Sequence, residues 1–371
     1  MSRRRILLMT RSLHLGGAER VVVHLARRLD PARFQVEVCC THEAGVLAGE
    51  LERAGLEVRM LGGNGRSRFA KPFELAKLIR GGRYDVAHSH GTSALMVLGP
   101  VAWTPGLPPL AHTFHFGNYP HIAKRYLAAE RVFCKFYARL VAVGETQRQA
   151  ILRYHRPDPA RLRTIWNGVD PLEVPDPASL SRRRREVLGI EDGTFAVGTV
   201  AVLSRQKGVS DILRAAKAFE PARSPVRFFV VGGGPLLEDL RAEAKELGVT
   251  PQVTFTGWRS DALELLPLFD AFLLPSLWEG FSMVILEAMA AGLPVIASRV
   301  GDNAIAVENG SSGLLVPPGD SGAIESAVAS LASDPSRARA MGQRGRERFL
   351  REFHADRMIA AHEALYEEMA P

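Results

Sequence analysis

The sequence predicts an α/β fold with two doubly wound domains, each a parallel sheet covered by helices on both faces. Three observations predict it. Short apolar runs alternate with amphipathic helical patterns over residues 1–170. The alternation begins again after a polar, proline-rich stretch at 171–181. The length, 371 residues, suits two domains of ordinary size. Such sheets bind ligands beyond the carboxyl ends of their strands, so the strand-end loops are the places to look for function.

In the first domain, 1–170, strands are expected over 6–10, 34–41, 57–61, 85–90, 110–115 and 140–143, with helices over 18–29, 72–79, 92–102 and 121–137. Leu15-Gly16-Gly17-Ala18-Glu19-Arg20 joins the first strand to the first helix. Gly16 and Gly17 would let a ligand approach the backbone at a helix start; the same pair also serves a plain turn. The G-x-G-x-x-G dinucleotide pattern is absent. Histidines gather at strand ends: His88, His90, His112, His115 and, further on, His121. His88-x-His90 lacks a third ligand at convincing spacing, which favours a structural role over a metal. The segment 121–139 sets Lys124, Arg125, Arg131, Lys135 and Arg139 among aromatic and aliphatic residues. It reads equally as a basic helix lying on an anionic membrane surface and as a helix packed on the sheet with its charges in water.

Pro171, Pro175 and Pro177 mark 171–181 as a linker, and the charged run 182–186 as the start of a solvated helix. In the second domain, strands are expected over 195–202, 227–231, 253–256 and 271–274. Leu203-Ser204-Arg205-Gln206-Lys207-Gly208 follows the first of them. Two cations at a strand end beside a helix start suit a phosphate clamp, although Arg205 is equally a surface residue. Val231-Gly232-Gly233-Gly234-Pro235 is a glycine loop before a second helix. Thr256-Gly257-Trp258 either walls a base pocket or buries its indole. The stretch 271–298 reads as strand, loop, helix, strand. Pro275 and Gly280 break the apolar run, Ser282 is the expected N-cap, and Gly292 and Pro294 end the helix. Glu279 stands in the loop and Glu287 in the helix. Backbone amides at this helix start would attract phosphate, whereas Glu279 would repel it; the Glu279 carboxylate better suits sugar hydroxyls. From 321 onward the chain is expected to be helical, closing on an amphipathic pattern over 354–369.

Hydrophobic residues make up 46% and charged residues 23%, a globular balance. A net charge of +7 permits anionic partners, but no nucleic-acid motif accompanies it. Cys39, Cys40 and Cys134 offer neither a paired framework nor metal spacing, which points to a reducing compartment. The apolar run after Arg3-Arg4-Arg5 is too short for a signal peptide, and none approaches membrane-spanning length.

The run from Pro275 to Ala297 resembles the donor-site signature of retaining glycosyltransferases of family 4 (glycosyl transferases group 1), which have the GT-B fold. That signature is a Glu, seven residues and a second Glu, preceded by Pro-Ser and followed by Ala-x-Gly-x-Pro-Val-Ile-Ala. Gly301, Glu308, Asn309-Gly310, Gly313-Leu314-Leu315 and Pro318-Gly319-Asp320 are similar too; the first half of the chain resembles the family more loosely.

The resemblance implies two Rossmann-like domains facing a cleft: an acceptor-binding domain over 1–170, a nucleotide-sugar domain over 171–352, and a helix over 353–371 returning to the first. It implies that Glu287 binds the ribose, that Glu279 holds donor-sugar hydroxyls, and that His115, in Thr113-Phe114-His115-Phe116-Gly117, touches the sugar. Lys207 and an Arg would hold the diphosphate, with amides near Gly280, Phe281 and Ser282. The family Arg usually lies further upstream, where this chain has Val202 or Leu203, so Arg205 is a displaced substitute. Gly16, Gly17 and Gly233 would approach the donor. The implied reaction needs no metal and no cofactor, a UDP- or GDP-sugar being the substrate. No carboxylate nucleophile stands out, so front-face departure and attack are expected. The implied acceptor is a glycan or lipid-linked sugar of bacterial surface polysaccharide or glycolipid. The expected location is the cytoplasm, at the inner face of the membrane. The competing readings are a GT-B epimerase, which would carry extra carboxylates, and a non-catalytic surface protein on a degenerate transferase fold.

Overall fold

The computed structural model describes residues 3–14, 16–62, 70–115 and 124–370. The chain forms two compact units: Met1–Gly168 with Ala355–Pro371, and Val169–His354.

The first unit carries a seven-stranded sheet. Its strands are β1 (Arg4–Thr10), β2 (Phe34–Cys40), β3 (Val58–Met60), β4 (Val86–His90), β5 (Leu110–Phe114), β6 (Arg139–Ala142) and β7 (Leu162–Thr164). They lie in the order β3-β2-β1-β4-β5-β6-β7, every pair parallel. The strands read as continuous apolar runs because helices cover both faces: Ile6 to Met9 are fully buried. The final helix, Ala355–Met369, packs in this unit and buries Met358, Leu365 and Tyr366. Arg33 holds it through Glu363 at 2.8 Å, and Arg163 through Glu368 at 2.7 Å.

The histidines tie the sheet together internally. His88 spends both ring nitrogens, Nδ1 on the Tyr366 hydroxyl at 2.7 Å and Nε2 on Thr113 Oγ1 at 2.8 Å. His112 Nδ1 meets Ser89 Oγ at 2.9 Å. Desolvation depresses the pKa of His112 and of His362 to about 4, and holds His88 and His90 well below the usual histidine range.

The second unit carries a six-stranded parallel sheet: β8 (Phe195–Val200), β9 (Val226–Val231), β10 (Val253–Gly257), β11 (Ala271–Leu274), β12 (Val295–Ser298) and β13 (Gly313–Val316), in the order β10-β9-β8-β11-β12-β13. The strand order of each sheet reverses once, between β1 and β4 and between β8 and β11. Those are the crevices where such sheets bind ligands.

Four expectations need correction. The proline-rich stretch is not all linker: Pro177–Arg183 is a helix, started by Asp176, whose carboxylate accepts from the Ala178 and Ser179 amides. Proline at the first helical position is pre-organised for the helix, so here it starts structure rather than interrupting it. The charged run 182–186 is not simply solvated, because Arg184 forms a two-pronged pair with Asp270 at 2.8 and 3.0 Å and is largely buried. The helix expected over 121–137 runs over Lys124–Phe133 and gives way to a 3-10 turn, Cys134–Phe136. Positions 121–123, with His121, and the side chains of Lys124 and Arg125 lie outside the described residues. Finally, β7 and β13 were not expected as strands; each is only three or four residues long and pairs along one edge.

Candidate active site

Two strand-end loops build the site in the second unit, one after β8 and one after β11, on the two sides of the switch point. A single 3-10 turn, Arg205–Lys207, follows β8. Gly208 then takes φ +62°, and a Cβ there would lie 2.1 Å from the Pro275 carbonyl oxygen. Only glycine allows the two loops to touch at this point. The Leu277 amide donates to the Gln206 carbonyl at 2.7 Å, and the Gln206 side chain donates to the Trp278 carbonyl at 3.0 Å.

This docking places Lys207 Nζ 2.6 Å from Glu279 Oε1. Ser276 Oγ donates to the same oxygen at 2.7 Å, and Gln206 Nε2 reaches Glu279 Oε2 at 3.3 Å. Glu279 is buried, its side chain 7% exposed against 18% for Lys207. A charge-assisted contact in so dry a setting is held firmly. Gly301 closes the loop from behind. Its φ is +52°, a Cβ would meet the Glu279 carbonyl oxygen at 2.4 Å, and the next amide, Asp302, donates to the Gly280 carbonyl at 2.9 Å.

The helix Met283–Ala290 starts directly after this loop. Ser282 stands at its N-cap with extended backbone, but its hydroxyl does not cap the helix. The first-turn amides of a helix have no partner within it, and the dipole adds positive potential there. Phe281, buried, packs 5.4 Å from the Phe353 ring. Glu287 lies buried in the second turn.

Of the predicted residues of this unit, Lys207 and Glu279 come into direct contact, and Gly280, Phe281 and Ser282 lead from them into the helix. Arg205 is exposed at the start of the turn. Gly233 follows β9; its carbonyl accepts from the Leu203 amide at 2.8 Å, which ties the glycine loop to the β8 loop. Trp258 stands beside Gly233 and is 62% exposed, so the buried reading of its indole is wrong. Sequence reasoning gave no role to Ser276 or Gln206. The signal was their place: both lie within the two quoted loops, and both are neutral donors beside a buried carboxylate.

In the first unit, Gly16 is the extended N-cap of the helix Gly17–Arg28. Its carbonyl accepts from the Arg20 amide at 3.0 Å, and the Glu19 carboxylate lies over it. Leu15 lies outside the described residues. His115 directly follows β5, with Nε2 3.0 Å from His90 Nδ1 and the two rings stacked. Burial, then His112 and His362, hold its pKa below the usual range, so the ring is neutral at pH 7. Among the described residues no group of three His, Cys, Asp or Glu could hold a metal ion.

Two family models match the chain: Glycosyltransferase Family 4 over residues 15–172, and Glycosyl transferases group 1 over 181–348. The D-inositol 3-phosphate glycosyltransferase of Salinispora tropica is 31% identical, over 93% of this chain and 79% of its own. The chain belongs to glycosyltransferase family 4. Another relative is the UDP-Gal:alpha-D-GlcNAc-diphosphoundecaprenol alpha-1,3-galactosyltransferase of Escherichia coli, 28% identical over 86% of each chain. The GT-B fold is shared with Anabaena Alr3699/HepE in complex with UDP and glucose, at a TM-score of 0.87 and 22% identity over 99% of this chain and 100% of that one. It is shared with WaaG, a glycosyltransferase involved in lipopolysaccharide biosynthesis, at 0.77 and 18% over 97% and 99%.

Proposed function

We propose that this family-4 glycosyltransferase moves a sugar from a nucleoside-diphosphate sugar, UDP-linked for preference, to a glycan or lipid-linked acceptor with retention at the anomeric carbon. One observation carries the reading: Lys207, Ser276 and Gln206 converge on Glu279 at the β8/β11 switch point, directly before a helix start. The name of one relative, the Escherichia coli galactosyltransferase, supports a UDP-sugar donor and a lipid-diphosphate acceptor.

In this reading the diphosphate lies against the amides that open the helix Met283–Ala290. Lys207 Nζ keeps two N–H donors beyond the one given to Glu279, and these meet the charge that grows on the leaving phosphate. Glu279, oriented by Ser276 and Gln206, accepts from donor-sugar hydroxyls, and Glu287 from the ribose. His115, neutral, offers a hydrogen bond to the sugar. The leaving phosphate takes the acceptor proton on the face it departs from, so the anomeric configuration is kept. Cations and helix amides carry the charge without a metal. The enzyme works in the cytoplasm, at the inner membrane face, in surface polysaccharide or glycolipid assembly. No described helix is long and apolar enough to cross a membrane. Peripheral attachment is part of this reading, with exposed Arg131, Val132, Lys135 and Phe136 as one contact.

The test is calorimetry with UDP, GDP and ADP, followed by product release from the matching sugars. Binding of one nucleotide and sugar transfer are expected; a chain that binds none of them is not this enzyme. Glu287→Ala should weaken nucleotide affinity ~10-fold or more, since a buried carboxylate that accepts two ribose hydroxyls is lost. Unchanged affinity would remove Glu287 from the ribose site. Turnover should persist in excess EDTA, and loss reversed by Mg²⁺ or Mn²⁺ would overturn the metal-free reading.

A further inference from the structure

The first unit opens a cavity of about 1380 Å³ between the helices Lys71–Gly82 and Gly91–Leu98. Ligand pockets run to roughly 300–1,000 Å³, so the space exceeds what one sugar fills. It is long as well as large. Arg11, His42 and Thr92 line it where β1, β2 and β4 end, at this unit's own switch point. Arg80 and Trp103 line it at the other end of the helices. At 1.5 Å per residue, Lys71 to Arg80 spans roughly 14 Å.

The lining is amphiphilic. Ala76, Met96, Val97 and Val101 supply an apolar wall. Phe73 and Trp103 also line the cavity and are 74% and 68% exposed, a costly arrangement in water unless something apolar covers them. The charged lining residues are Arg11, Lys71, Lys77 and Arg80, all cations, and no carboxylate is among the described residues of the lining. A peptide helix would bring its own polar backbone and mixed charges. A hydrocarbon chain with an anionic head matches both features of this groove.

We propose that the groove holds the hydrocarbon chain of an anionic lipid, the sugar acceptor, with its phosphate at Arg11 and Lys71 and its chain running along Phe73, Met96 and Trp103. Lys71 already lies across this edge, its Nζ donating to the Thr41 carbonyl at 2.5 Å. The acceptor hydroxyl is thereby presented at the carboxyl edge of the sheet, where ligands of such sheets bind. Meaning as an acceptor rests on the transferase reading above; binding of the lipid does not.

Calorimetry on the full chain with farnesyl phosphate, farnesol and inorganic phosphate tests it. Farnesyl phosphate is expected to bind and inorganic phosphate not measurably. Phe73→Ser with Trp103→Ser, both at exposed positions, should weaken farnesyl phosphate and farnesol at least ~10-fold. Arg11→Glu, also exposed, should weaken farnesyl phosphate to a similar degree and leave farnesol unchanged. UDP titrated into the same samples reports folding and the donor site separately. Loss of UDP binding in the wild type would sink the transferase reading while leaving the groove to its own result. The groove proposal fails if the wild type does not bind farnesyl phosphate, if inorganic phosphate binds as well, or if both variants keep full affinity. It fails too if phosphatidylglycerol vesicles bind the protein but farnesyl phosphate does not.

Discussion

Replacing Lys207 by alanine is expected to lower turnover by ~10²-fold or more, while Arg205→Ala costs only a small factor. The difference follows from position. Lys207 stands 2.6 Å from Glu279, largely buried, at the mouth of a helix N-terminus. Arg205 is exposed at the other end of the same turn. A cation that meets charge developing on a leaving diphosphate acts mainly in the transition state, so kcat should fall with little change in KM. The substitution also strands a buried carboxylate on two neutral donors, which by itself destabilises a protein by several kcal/mol. Lys207→Gln separates the two effects, because its amide can still donate to Glu279 but carries no charge. That variant should lose less stability than Lys207→Ala without regaining turnover. Equal, small losses for Lys207→Ala and Arg205→Ala would mean that the turn after β8 is not the phosphate clamp.

Acid should unfold the first unit over an unusual window. His88, His90, His112 and His362 are buried neutral, with His112 and His362 at about 4. In the unfolded chain each titrates near 6.5. The unfolded state therefore binds more protons between those values, and stability falls as the pH drops through about 6.5 and continues to fall to about 4. Each such histidine removes about 1.4 kcal/mol per pH unit inside the window, so four together approach the whole stability of a domain by about pH 5. Thermal unfolding recorded from pH 7.5 to 5 should show a steep loss of midpoint, beginning well above the carboxylate range. A flat profile down to pH 5 would mean that these rings are hydrated or already charged.

The sheets were legible because parallel strands covered on both faces are short apolar runs, and β1 and β11 announce themselves that way. β7 did not: Leu162-Arg163-Thr164 has one apolar residue, and the edge of a sheet asks less of its side chains; β13, Gly313-Leu314-Leu315-Val316, is apolar but only four residues long. Prolines misled at 177, where a fixed φ begins a helix that a composition rule takes for a linker. The site was legible as two loops and two glutamates. What the sequence withheld was the contact: that the turn after β8 docks on the loop after β11, through Gly208, and sets Lys207 on Glu279 with Ser276 and Gln206 as further donors. Residues some 70 positions apart along the chain meet only through the strand order, and adjacency of β8 and β11 is a property of the sheet, not of either segment.

The first unit is made of two separated pieces of chain, with the whole second unit between them. The second unit is continuous, and its ends meet: Val169 bridges to His354, its amide donating to the Phe353 carbonyl at 3.2 Å. On a ribosome this order matters. At ~5–20 residues per second, roughly 10–40 s pass between the emergence of Gly168 and that of Ala355. Through that interval β4 is present without Tyr366, and Arg33 without Glu363, so one flank of the first sheet waits uncovered. The second unit, needing nothing that comes later, can close meanwhile. The first half of the chain to be made is thus the last to be finished.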